Sequence, residues 1–515
     1  MMKNRLLTYI LIIGILFSSL LSMPTNRVKA ATQERVLLVY DSENDVEQSG
    51  KQIDALQRIL TSLNLPVKTI SQNNYKSGML KNYSGVITMI NWRQVGLTNK
   101  VFIHDREKFS GIRLHIGDNL TANEAAQLGG HARRIYQQQF ILKINQDEQL
   151  LPFSETITVL DGLSNQVQKV GILATQEKNQ KSYPYGIING QNGYLPYFNS
   201  GGLSSLAASQ MIAKLFGKND TYQPMLTITN VTPYSDLKIL DALSLYCYQK
   251  EIPFAISASS VSDNTQMKAF TRYTTVLNSI ENRGGVIFAQ MPIVGAPPIS
   301  SGSELSQIVS SYMVSLAREN VYPIGISSFG YWNQDEILRD NALKKANNLI
   351  LLPNEKVVYV KQDNNALSTK KSFYAMSVSS LNKVKKSYDM SFSMPTALTV
   401  SLPDSKVGMH DLEQEINGLQ LNWFDPVNLN TTVKTGTSLM RYRNGDYYMN
   451  GKKEDIQNTQ NTNNIPIFAT KQEPLFSNFF HLQGNILMGF FIIVLLILII
   501  FTLLGRKIYK NMFKR

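Results

Sequence analysis

"LTITNVTPYSD", residues 226–236, is the stretch on which the fold turns. Leu226 to Val231 is an apolar, β-branched run of strand length. Pro233 stops the strand, and Ser235 or Asp236 offers a helix N-cap just ahead of Leu237. A buried strand that feeds straight into a helix is the repeating unit of a parallel α/β layer. The strand ends at Thr229 and Asn230, the place where a barrel enzyme keeps charged groups.

The unit recurs downstream. "PFAISAS" (253–259), "GVIFAQMP" (285–292), "YPIGISS" (322–328), "NLILLP" (348–353) and "KVVYV" (356–360) read as strands. "NTQMKAFTRYTTVLNSIENRG" (264–284), "SELSQIVSSYMVSLAREN" (303–320) and "DEILRDNALKKAN" (335–347) read as the helices between them. Such alternation with short turns predicts a closed or nearly closed β/α barrel over 222–450, with an open doubly wound sheet as the alternative. Residues 373–448 carry mixed elements that either finish this barrel or form an appendage.

Upstream, "RVLLVYD" (35–41), "PVKTIS" (66–71), "YSGVITMIN" (83–91) and "GIRLHIGDN" (111–119) predict a second α/β layer within 32–216. Ile53, Leu56, Ile59, Leu60 and Leu63 recur at helical spacing and give the helix there one buried face. The layer resembles the flavodoxin or glutamine-amidotransferase type of sheet. It has no glycine-rich phosphate loop and no Gly-x-Ser-x-Gly turn, so docking or packing is its expected role.

Both ends read as targeting segments. Residues 1–30 form an expected signal peptide: Lys3 and Arg5, the apolar run Leu6–Leu21, then Val28-Lys29-Ala30 as a cleavage site. An uncleaved anchor is the alternative. Residues 451–483 are a polar linker, and 484–505 contain an expected transmembrane helix, Ile486–Leu504 without a charge. At 1.5 Å per residue that run crosses a hydrocarbon core of about 30 Å. Arg506, Lys507, Lys510, Lys514 and Arg515 in the tail 506–515 place it on the cytoplasmic side. The expected location is therefore the cell membrane, with a single pass and the bulk outside.

The net charge of +13 belongs mostly to these ends, whose nine cations have no acids among them. About +4 remains for the exported part, which argues against nucleic-acid binding. A single cysteine, Cys247, excludes an internal disulfide and suits a bacterial surface. Its place in the first barrel helix reads as a buried position.

The strand ends supply no obvious chemistry. They close on Thr229-Asn230, Ser257-Ala258-Ser259-Ser260, Ala289-Gln290-Met291 and Ser327-Ser328-Phe329. The five histidines are His104, His115, His131, His410 and His481, with none between 132 and 409. A hydrolytic zinc site needs three protein ligands, nearly always including histidine, and an oxygen-only site needs converging carboxylates. Asp236 reads as a helix cap, and Asp335 and Glu336 as first-turn acids. No cofactor or metal is expected.

"ITNVTPYSDLKILDALSLYCYQKEIPFAIS", together with "NTQMKAFTRYTTVLNSIENRGGVIFAQMPIVG", resembles the deacetylase-like exported bacterial proteins of the polysaccharide deacetylase superfamily. Pro233, Ser235, Asp236, Ile252-Pro253-Phe254 and Arg283-Gly284-Gly285 carry the likeness, which covers about 222–350. The resemblance implies an aspartate base and an aspartate ligand where Thr229 and Asn230 stand. It also implies two metal-binding histidines in the region Phe288-Ala289-Gln290-Met291-Pro292-Ile293, where Ala289, Gln290 and Ile293 are neutral. On that reading the domain is a pseudo-deacetylase.

An emptied sugar site can keep its affinity for sugar through aromatic faces and neutral hydrogen-bonding groups. Tyr234, Gln290, Phe329, Tyr331, Trp332 and Asn333 are the candidate glycan contacts, and Phe329 and Trp332 serve equally as cover for the barrel rim. The expected function is non-catalytic assistance to extracellular polysaccharide synthesis, export or modification. The expected partners are the polysaccharide or a membrane glycan synthase. The alternatives are a deacetylase or hydrolase with ligands recruited from His115, His131 or His410 with Asp411, and a structural surface module.

Overall fold

The computed structural model describes residues 34–41, 49–90, 96–176, 181–261, 263–295, 297–355, 363–382, 384–385, 390–454 and 456, with 491, 494, 495, 498, 501, 502 and 504–506 near the end. The expected signal peptide, the strand "KVVYV" and most of the Ile486–Leu504 span lie outside the described residues. Among those described, no helix is long and apolar enough to cross a membrane.

An eleven-stranded mixed sheet organises the N-terminal half. Val67–Ser71, Val36–Tyr40, Gly85–Ile90, Ile112–Gly117 and Asn192–Leu195 lie side by side in parallel. Ser182–Asn189, Gln168–Thr175, Phe140–Ile144 and Asp147–Leu150 continue the sheet antiparallel. The first strand, VLLVY, is apolar at every position because a parallel sheet is covered on both faces. Helices α1 (Ser49–Ser62), α2 (Lys100–Glu107), α3 (Ala122–Gln127) and α4 (Gly202–Leu215) supply that cover.

The second half is a closed barrel of seven parallel strands, and the open-sheet alternative is set aside. Its strands are β1 (Met225–Val231), β2 (Phe254–Ser259), β3 (Val286–Gln290), β4 (Gly325–Phe329), β5 (Asn348–Leu352), β6 (Lys371–Ser377) and β7 (Thr396–Ser401). They pair in chain order, and β7 returns to β1 with Leu226 opposite Leu398. Between them run α5 (Leu237–Gln249), α6 (Lys268–Asn282), α7 (Gly302–Arg318), α8 (Gly330–Gln334) and α9 (Glu336–Asn341), and α10 (Lys406–Leu419) follows β7. Asp236 caps α5, accepting from the backbone N–H groups of Lys238 and Ile239 at 3.0 and 3.2 Å.

Residues 373–448 do both things the sequence left open. β6 and β7 finish the barrel, while Thr431–Thr435, Ser438–Arg443, Asp446–Met449 and Lys452–Glu454 form a separate antiparallel meander. The polar linker therefore begins later than its composition suggests, because Lys452–Glu454 is a paired strand: Tyr447 lies opposite Glu454.

The boundary near residue 220 separates two sheets but not two independent bodies; the described residues from 34 to 456 belong to one compact unit. Among the described residues, the connections β5–β6 and β6–β7 hold no α-helix. The N-terminal half covers that side of the barrel. α1 packs against β6, where Arg58 Nη1 donates to the carbonyl of Ala375 at 2.8 Å, and Ser205 of α4 hydrogen-bonds the Tyr374 hydroxyl at 3.0 Å. In return, those two connections add two-residue strands to both edges of the N-terminal sheet. Asn365–Ala366 pairs with Val67–Lys68, and Val384–Lys385 pairs with Glu148–Gln149. Exposed sheet edges invite unwanted pairing, and here each edge is closed from within the chain.

Candidate site at the barrel mouth

The mouth is built from the C-terminal ends of the seven strands. At the end of β1 the pairing with β2 slips between Ile228 and Val231, which is a bulge. Asn230 sits in it at φ +60°, a left-handed conformation that asparagine adopts more readily than most side chains. The bulge turns Asn230 outward, and its amide donates to Ser401 Oγ at 2.8 Å. Thr229 hydrogen-bonds the backbone instead, donating from Oγ1 to the Val400 carbonyl at 3.2 Å.

Inside the mouth the polar groups satisfy one another. Ser257 Oγ lies 3.0 Å from Gln290 Oε1 and 2.7 Å from Ser327 Oγ, so β2, β3 and β4 are tied by one neutral network. Ser260 Oγ donates to the backbone carbonyl of Gln290 at 2.7 Å. Ala289 is buried, and Ile293 lies beyond the strand with half its surface in solvent. Thr229, Asn230, Gln290, Ser257 and Ser327 are all neutral, with no acid or imidazole in their network.

Beside the Asn230–Ser401 contact runs an open groove of about 740 Å³, lined in part by Ser377, Ser379, Asn382, Ser401, Asp411 and Glu415. It lies where β6 and β7 end and α10 begins. Tyr234, 89% exposed, stands on the β1 side of the same mouth. Hydroxyls, amides and an exposed tyrosine are groups that hydrogen-bond and stack on sugars.

The aromatic set that follows β4 is placed otherwise than the sequence suggested. Phe329, Tyr331, Trp332 and Asn333 are all buried. The chain turns into α8 directly after β4, which packs Phe329, Tyr331 and Trp332 into the barrel's own apolar cluster, while Gly330 and Gln334 meet α1. Gly330 marks the close approach, since a Cβ there would lie 2.6 Å from Asp54 Oδ1. Trp332 Nε1 donates to the Pro292 carbonyl at 3.1 Å, and the Tyr331 hydroxyl donates to the Val294 carbonyl at 3.1 Å. Phe329 stacks on Tyr331 with centroids 6.2 Å apart. These residues hold the β3 loop in place and offer no free face to a ligand. Of the predicted glycan contacts, Tyr234 is exposed and Gln290 is half-buried.

The recruited-ligand alternative finds its histidines scattered. His115 is buried in the N-terminal sheet, His131 is exposed on the two-stranded antiparallel sheet formed with Ser154–Asp161, and His410 lies on α10. Among the described residues no three His, Cys, Asp or Glu side chains gather to hold a metal. Cys247 is fully buried in α5, and burial pushes its thiol up to about 12, away from thiolate reactivity.

Ser257, Ser327, Ser377 and Ser401 escaped the sequence reading as a group. Each is an ordinary strand-end serine, and only barrel closure brings them to one rim. Compared with known proteins, the chain matches no family model and no curated protein.

Proposed function

We propose that this chain is a non-catalytic surface protein whose deacetylase-like barrel binds a neutral glycan at its mouth and assists the synthesis, export or modification of an extracellular polysaccharide. The observation that carries the reading is the Ser257–Gln290–Ser327 network with the outward Asn230–Ser401 pair. Where the resembling superfamily needs a base and metal ligands, this mouth holds uncharged groups that are already bonded to each other. The adjoining groove and exposed Tyr234 leave room and chemistry for sugar. The parallel strand order of the N-terminal sheet, second–first–third–fourth, is consistent with the flavodoxin-type likeness. Membrane anchoring rests on the uncharged Ile486–Leu504 run, and Phe491, Leu495, Leu498, Phe501 and Leu504 are helical and exposed, as lipid-facing side chains are.

The test uses the detergent-solubilised full chain with acetylated and deacetylated oligosaccharides. The expected result is saturable binding that Tyr234→Ala or Asn230→Ala weakens roughly fivefold, a loss on the order of 1 kcal/mol. No acetate release and substoichiometric transition metal are expected alongside it. Stoichiometric metal with acetate release would replace this reading by that of an enzyme with a rebuilt site.

A further inference from the structure

A second pocket lies in the N-terminal sheet, apart from the barrel mouth. Along Ile112–Gly117, Leu114 and Ile116 belong to the main hydrophobic core. Arg113 and His115 alternate onto the opposite face, as strand geometry requires. There α2 and α3 enclose a cavity of about 250 Å³, lined among others by Arg106, Arg113, His115, Asn123 and Glu124.

The pocket is short of acceptors. Glu124 Oε1 takes His115 Nδ1 at 3.1 Å and also Arg106, while Oε2 takes the Thr121 N–H and hydroxyl, both at 2.9 Å. Burial pushes this carboxyl upward, but His115, Arg106 and the hydrogen bonds outweigh it and hold Glu124 well below the usual range. Both oxygens are therefore committed. His115 Nε2 contacts the Asp118 carbonyl oxygen at 2.8 Å, so both of its partners are acceptors and it has none to spare.

Arg113 feels the Glu124 carboxylate but makes no ion pair with it. Among the described residues its side chain has one hydrogen-bond partner, the Glu107 carbonyl at 3.4 Å, and no ion pair. Its Nε, like that of Arg106, is buried without a hydrogen-bond partner. Burial first, and then the neighbouring Arg106, disfavour its charged form, and the Glu124 charge offsets them only in part. Glu107, the other acid in the lining, is exposed at the rim. Two guanidinium groups beside one saturated carboxylate are stabilised by an anion, which guanidinium binds through paired hydrogen bonds.

We infer that this pocket binds a small anion, a carboxylate- or phosphate-bearing molecule of about monosaccharide size, through Arg113 and Arg106. The volume supports the size limit, since it falls just below the span of roughly 300–1,000 Å³ usual for ligand pockets. The inference does not depend on glycan binding at the barrel mouth, and either can fail alone.

Calorimetric titration of the solubilised full chain with glucuronate, inorganic phosphate and glucose tests it. Saturable binding of at least one anion, with none of glucose, is expected. Binding of glucuronate alone identifies a sugar acid as the source, and binding of phosphate alone a phosphate compound. Arg113→Gln is expected to weaken binding roughly tenfold or more. Asn123→Glu, an exposed change on α3 that places a like charge at the pocket, is expected to do the same and carries the test if Arg113→Gln lowers the melting temperature markedly. Failure of both anions to bind, equal binding of glucose, or anion binding unchanged in Asn123→Glu overturns the inference.

Discussion

One guanidinium joins three parts of the molecule at Arg58. Its Nε donates to Asp54 at 2.9 Å on the same helix, and its Nη1 reaches the carbonyls of Ala375 in β6 and Leu351 in β5. The group also lies 4.6 Å from the centre of the Tyr374 ring. Burial raises the Asp54 carboxyl above its usual range, and Arg58 is the main influence opposing that rise. Arg58→Ala is therefore expected to cost about 3–5 kcal/mol, because it strands a buried carboxylate and frees barrel carbonyls. Arg58→Lys keeps the charge without the fork, and an intermediate loss is expected. Urea unfolding of the full chain, followed by circular dichroism, measures both. A loss below about 1 kcal/mol for the alanine variant would mean that apolar packing alone holds the seam.

At the scale of a helix, α1 shows why the seam was illegible. Its apolar residues Ile53, Leu56, Ile59 and Leu60, with Leu63 just past its end, gave one buried face, and that face is in the core. Asp54, Gln57, Arg58 and Thr61 lie off that apolar face, yet they too are buried. Arg58 meets barrel carbonyls, Gln57 meets Gln334, and Asp54 accepts from Arg58 and the Asn354 N–H, and an amphipathic pattern cannot tell such partners from water. Strands β1 to β4 were legible for the opposite reason: each is an apolar run with a helix on either side in sequence, whereas β6 and β7, which lack such helices before them, were left open. The aromatic stretch after β4 was ambiguous because aromatic side chains serve a buried core and a sugar face equally well, and Phe329 and Trp332 are buried. α6 supplies a separate test of buried charge. Glu281, in its last turn, is fully desolvated and accepts from the Tyr322 N–H at 2.9 Å. Burial raises its pKa well above the ordinary carboxylate value, so the folded state retains a proton that the unfolded chain gives up. That contribution is complete below the ordinary carboxylate pKa and is lost as pH rises toward the folded value. Glu281→Gln keeps an acceptor and removes the titration. As pH rises above the ordinary carboxylate range, wild type is expected to lose thermal stability relative to the variant, and the two melting curves should converge at acid pH. Parallel curves across that rise would mean that Glu281 is not protonated in the native state.

For the whole molecule, the exchange of elements makes the two halves mutually dependent. Among the described residues the barrel has no α-helix of its own in the connections on either side of β6, and α1 and α4 pack there. The N-terminal sheet has Asn365–Ala366 and Val384–Lys385 of the barrel on its two edges. Removing either half exposes a buried strand face on one side and unpaired sheet edges on the other, both of which promote association. Residues 222–458 expressed alone are therefore expected to aggregate or to melt without cooperativity. Coexpression with residues 32–220 is expected to restore a soluble one-to-one complex, because the interface is formed by side chains and strand pairs that need no covalent link. Size-exclusion chromatography with limited proteolysis reads the outcome. A soluble, protease-resistant barrel fragment on its own would show that β6 is covered without α1, and that the Arg58 seam joins two independently folding domains.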